Sequence, residues 1–138
     1  MKPNVLLAVV AAAFAVSTGA CIWLVQTYAS GMTPIMIFMD SGVIAKLCML
    51  IIQLTLFLAL IGGLIPVRML AHLSAGAAVT FGLLGALYGE MMTQAALRAV
   101  GPVSFAVTAP GRADSLFCLS MGLFVALVAL GLLRLRGG

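Results

Sequence analysis

The chain has 138 residues, 64% of them hydrophobic and only 7% charged. A soluble domain carries roughly a quarter charged residues, so this inventory cannot build a water-facing surface, and a mean hydropathy of +1.30 places it in a membrane. The net charge of +4 comes from seven Lys/Arg against three Asp/Glu. Those basic residues mostly cap apolar runs, which points to membrane topology and a lipid partner rather than to nucleic acid.

A spanning helix needs about 20 mostly apolar residues, and the chain offers four such runs with little left over. The expectation is therefore an all-α integral membrane protein with one transmembrane domain over residues 1–138. The first helix is predicted over about residues 4–27. Lys2 ahead of an apolar run, with Ser17-Thr18-Gly19-Ala20-Cys21 inside it, has some features of a cleaved leader. The run continues through Ile22, Trp23, Leu24 and Val25 to Tyr28, longer than a signal core, and reads as a retained helix.

A polar connection from Ala29 to Ser41 follows, its MTPIMIF segment lying at the membrane surface. The second helix is predicted over 42–64, closed by Gly62, Gly63 and Pro66 with Arg68 beyond. The third covers about 69–97, and the short link between them makes the two antiparallel neighbours. A longer connection, Arg98 to Arg112, is expected to lie over the bundle mouth. The fourth helix is predicted over 113–133, opening after Pro110-Gly111 and ending before Arg134 and Arg136. With the N-terminus inside, Lys2, Arg68, Arg134 and Arg136 are cytoplasmic and Arg98 and Arg112 lie outside, a bias that puts both termini in the cytoplasm.

Small residues mark helix contacts, because lipid gives little hydrophobic drive for helices to associate. Gly76, Gly82, Gly85 and Gly89 line the third helix, and Gly122, Ala126, Ala129 and Gly131 the fourth. They serve packing either within one protomer or between protomers. Cys21, Cys48 and Cys118 fall in apolar runs without metal-ligand spacing and read as packing residues. His72 has no acidic or cysteine neighbour in sequence. No phosphate loop, nucleophile elbow or metal cluster is present, so neither an enzyme nor a cofactor is expected.

Lys46 lies about one turn into the second helix and snorkels to the near interface, with Asp40 and Ser41 close by to meet it. Glu90 stands about five residues below the end of the third helix, roughly 8 Å deep, followed by Thr93 and Gln94. A carboxylate there is costly and usually has a purpose. It is either a protonatable site in an ion path or the partner of Arg98 or Arg112. Asp114, in the first turn of the fourth helix, complements the helix dipole.

Three stretches carry a family resemblance. Gly82-Leu83-Leu84-Gly85-Ala86-Leu87-Tyr88-Gly89-Glu90-Met91 is similar to the glycine motif of the penultimate helix in the MotA/TolQ/ExbB proton-channel family. Thr108-Ala109-Pro110-Gly111-Arg112-Ala113-Asp114-Ser115-Leu116, then Leu119-Ser120-Met121-Gly122-Leu123-Phe124, resembles its final helix. Val43-Ile44-Ala45-Lys46-Leu47-Cys48-Met49 resembles the start of its first. The similarity covers about residues 38–136. It implies a bacterial inner-membrane subunit that forms a homo-oligomeric ring, a pentamer, around single-span ExbD/TolR/MotB-like helices and is driven by proton-motive force.

Three departures accompany it. The family's large cytoplasmic insertion is replaced by a few residues around Arg68, and a helix is added at the N-terminus. The two pore threonines fall at Ala86 and Leu119, while the glutamate heading the final helix becomes Asp114. Glu90, one turn from Ala86 on the same face, is the candidate replacement, with Asp114, Thr93 and Ser120 as further ion-path candidates. The competing expectation is a non-conducting scaffold or accessory subunit. A small four-helix multidrug-type transporter ranks behind both, because the first helix carries no acidic residue.

Overall fold

The computed structural model describes residues 3–64, 68–101 and 103–137, with side chains over 5–63, 69–101 and 103–135. It consists of α1 (Pro3–Tyr28), α2 (Pro34–Asp40), α3 (Val43–Leu64), α4 (Arg68–Val100) and α5 (Phe105–Gly137), with no strand among the described residues. Of these, α1, α3, α4 and α5 are long and apolar enough to cross a membrane. The chain is thus built as a multi-pass membrane protein. Lys2, Pro66 and the side chains of Arg68 and Arg136 lie outside the described residues.

The first and second predicted helices match α1 and α3 to within a residue at each described end. The connection between them instead holds a helix of its own. Thr33 caps α2 by accepting a bond from Met36 N at 3.3 Å, with Pro34 in the first turn. The third helix runs on to Val100 rather than stopping at Leu97, since Ala95-Ala96-Leu97-Arg98-Ala99 are good helix formers. It closes at Gly101, whose φ of 89° lets its N–H reach Leu97 O at 2.9 Å.

The largest correction concerns α5. It opens at Phe105 rather than Ala113, contains Pro110, and continues past Leu133 through Arg134. Proline removes only one ladder bond near a helix start, to the carbonyl four residues back. The packing of buried Ala109 and Ala113 against Leu24 of α1 accompanies the continuous helix here. The expected Arg98–Arg112 loop shrinks to residues 101–104, and Asp114 moves from a first turn to the third. Its side chain therefore has no helix terminus to complement.

Helix α5 is the hub. Its broadest contact is with α4, α3 packs on both, and α1 rests on α5. Met49 and Ile52 of α3, Ala78 of α4 and Cys118 and Val125 of α5 form the main core, with Ala59, Ala75, Ala126 and Ala129 in a second cluster. The α4–α5 seam is a backbone contact. A Cβ on Gly122 would stand 2.5 Å from Ala78 O and 2.9 Å from Gly82 Cα. One on Gly85 would collide with Cys118, and one on Gly89 with Ser115. Gly82, Gly85, Gly89 and Gly122 thus face the neighbouring helices of the same chain, whereas Gly76 and Gly131 meet open space.

Candidate functional site

Helix length sets the height of the charges. Helices α4 and α5 have 33 residues each, about 50 Å at 1.5 Å per residue, against 22 in α3. A hydrocarbon core is about 30 Å thick, so the α4–α5 hairpin rises past the start of α3. Counted from the α3–α4 connection, Lys46 lies about 27 Å up and Glu90 about 33 Å up. Lys46 and Glu90 therefore stand at the shoulder where α3 begins, and the packing of Gly89 against Ser115 puts Asp114 level with Glu90. Glu90 is ten residues from the end of its helix, deeper along the rod than its sequence position suggested.

At this level the structure makes two separate groups. The first surrounds Glu90. Its Oε1 accepts from Gln94 Nε2 at 2.9 Å, one turn on, and lies 3.8 Å from Arg112 Nη2. Side-chain exposures of 44% for Glu90 and 33% for Arg112 leave this pair partly open. Arg112 also lies over the Phe105 ring at 5.0 Å, and Phe105 contacts Tyr28, which contacts Trp23. The guanidinium thereby links Glu90 to an aromatic belt of the interfacial kind. Of the two arginines considered for Glu90, Arg112 is the one engaged.

The second group surrounds Asp114. Together with Asp40, Ser41, Pro110, Gly111, Met32 and Ile37 it lines a cavity of about 100 Å³ beneath α2. Asp114 Oδ1 is buried without a hydrogen-bond partner among the described residues. The cavity walls are mostly apolar, with Asp40, Ser41 and Asp114 as the polar side chains, and the size leaves room for a few waters, each taking about 30 Å³. Lys46 lies close enough for its charge to act on Asp114, while its Nζ donates to Met39 O at 2.7 Å. The expected Lys46 contact with Asp40 or Ser41 is thus replaced by a backbone carbonyl of α2, and Ser41 Oγ donates to Phe38 O.

The remaining candidates belong to neither group. Thr93 donates to Gly89 O at 3.0 Å and closes on Gly111, bordering an apolar groove of about 210 Å³ between the α4 and α5 tips. Ser120 is buried against α1, its Oγ 3.1 Å from Ser17 Oγ and 2.8 Å from Leu116 O. It serves the contact with the added helix. Ala86 and Leu119, at the family's threonine positions, are partly buried. Arg68 opens α4. Among the described residues no cluster of His, Cys, Asp or Glu is placed to hold a metal ion.

Asp40 and Lys46 as neighbours of Asp114 were missed by sequence reasoning, since they lie about 70 residues away in sequence and are brought to it by α2 and by the packing of α3 on α5. The Thr33-Pro34 cap was the available signal. Comparison with family models, with curated proteins and with solved structures finds no match to this chain.

Proposed function

We propose that the chain is an ExbB/TolQ-like subunit of a proton-motive-force-driven complex in the bacterial inner membrane, both termini cytoplasmic. It assembles as a ring, a pentamer, around single-span ExbD/TolR/MotB-like helices. The observation that carries this reading is Asp114. A carboxylate oxygen without a protein partner among the described residues, lining a small cavity with Asp40 and Ser41 level with the start of α3, is a group that can take and release a proton. It lies in the third turn of the helix that resembles the one on which the family carries its acidic residue. Lys46 offsets its charge and the backbone of α2 holds Lys46 in place. In this reading Asp114 takes the proton from the cavity, and an aspartate on the partner helix receives it.

A second reading, a non-conducting scaffold or accessory subunit, is favoured by the Glu90 group. That carboxylate is engaged by Gln94 and Arg112, and Ala86 and Leu119 offer no hydroxyl at the threonine positions. One experiment separates the two. The native complex is purified with whatever co-purifies, its stoichiometry is measured, and proton flux is followed after reconstitution. The conducting reading expects a ring enclosing an aspartate-bearing helix, and a flux that falls at least tenfold in Asp114→Asn at unchanged assembly. An empty or lipid-filled ring without flux establishes the scaffold.

A further inference from the structure

The polar side chains inside the spans are mostly satisfied by their own helices. Thr55 donates to Ile52 O, Ser74 to Ala71 O, Thr80 to Gly76 O and Ser115 to Gly111 O. Gln53 of α3 does not follow this pattern. It is exposed, and its amide finds no hydrogen-bond partner among the described residues. It sits at the middle of the Val43–Gly63 span, ten residues from either end, or about 15 Å. A side chain of its length cannot snorkel that far, unlike a lysine near a helix end. An amide bare in hydrocarbon is among the costlier polar groups to leave unpaired, and interhelical bonds from Gln are a known means of association in lipid.

We infer that Gln53 is a contact residue between copies of this chain, bonding to Thr80 of the neighbouring copy. Helices α3 and α4 run antiparallel from one short connection, so heights can be compared directly. Gln53 lies eleven residues before Leu64 and Thr80 twelve residues after Arg68, about 17 and 18 Å from that connection. In copies inserted the same way the two side chains therefore meet at one depth. Thr80 is exposed, and its hydroxyl proton is used on Gly76 O, leaving oxygen lone pairs to accept from the amide. Two different surfaces in contact make a heterologous interface, the kind that closes a ring. The inference rests on the reading of the chain as a homo-oligomer and is independent of whether it conducts.

The test uses the full chain in lipid nanodiscs or native membranes. Gln53→Leu, tolerated by a lipid-facing position, is expected to weaken self-association roughly three- to tenfold, and Gln53→Asn to restore part of it. The double variant Gln53→Cys with Thr80→Cys is expected to crosslink on oxidation into a ladder of multimers. The wild type, with Cys21, Cys48 and Cys118 buried, is expected to give none. An oligomeric wild type whose association is untouched by Gln53→Leu overturns the contact and leaves the ring standing. A wild type that stays monomeric at high protein-to-lipid ratio overturns both. Crosslinking of Gln53→Cys to itself alone, or to a chain of another mass, also overturns it.

Discussion

Glu90 and Asp114 stand at nearly the same height on adjacent helices, yet their surroundings differ in kind. Glu90 is half open and already engaged, by an amide one turn on and by a guanidinium anchored to Phe105. Asp114 has a buried oxygen with no hydrogen-bond partner, in a small cavity roofed by α2. The difference comes from the faces that Arg112, the partner of Glu90, and Asp114 occupy on α5. Arg112 and Asp114 are two residues apart, about 200° around a helix, so one points to α4 and the other to α2. A carboxylate that has its partners is a structural element. One without them has capacity left for a proton, and that contrast is why Asp114, rather than Glu90, carries the functional proposal.

The α4–α5 seam sets the register that separates the two groups, and disrupting it has the largest expected effect. Gly122→Ala places a methyl against Ala78 O and Gly82 Cα, backbone atoms that cannot rotate away. A loss of about 1–3 kcal/mol is expected, read as an earlier thermal unfolding midpoint in detergent. Gly131→Ala is the control, because its Cβ meets nothing within 4 Å. It should be neutral or slightly stabilising, as alanine is the better helix former. Equal losses at the two positions would show that the seam is not what holds the helices.

Arg112→Ala tests the Glu90 side alone. It removes a partly exposed ion pair, worth about 0–1 kcal/mol, and a ring contact of about 0.5–1 kcal/mol. The expected net is about 1 kcal/mol of stability, with no change in flux through Asp114. Lys46→Met acts on the other side. It frees Met39 O and removes a cation whose charge acts on Asp114, with an expected loss of about 1 kcal/mol. Proton flux should fall with it, and a flux change in Arg112→Ala but not in Lys46→Met would reverse the assignment of roles.

Much of this arrangement was legible in the residues. Apolar runs of spanning length gave four helices, and the glycines at 82, 85, 89 and 122 marked small-residue faces. Two things were not legible. Pro110-Gly111 has the look of a helix boundary, because proline lacks an N–H, yet buried Ala109 and Ala113 pack against Leu24 along a continuous helix. That shift of eight residues changed Asp114 from a dipole-complementing end residue into a wall of a cavity. The cavity itself depends on α2, a seven-residue helix too short to show a hydrophobic period. Its partners Asp40 and Lys46 are remote in sequence and adjacent only once the bundle has formed.

The smallest expected effect is also the sharpest test of the comparison. Glu90→Gln removes the charge at Arg112 but keeps an acceptor oxygen for Gln94, so one of its two contacts survives. The ion pair it loses is long, at 3.8 Å, and partly exposed on both sides. Pairs of that kind contribute a few tenths of a kcal/mol, so the unfolding midpoint should move little. Because Asp114 faces a different space, proton flux in the reconstituted complex should also stay near that of the wild type. If Glu90→Gln instead stops flux while Asp114→Asn leaves it intact, the two carboxylates exchange roles. The ion path then runs along the exposed side of α4, with Arg112 as its gate rather than as an anchor.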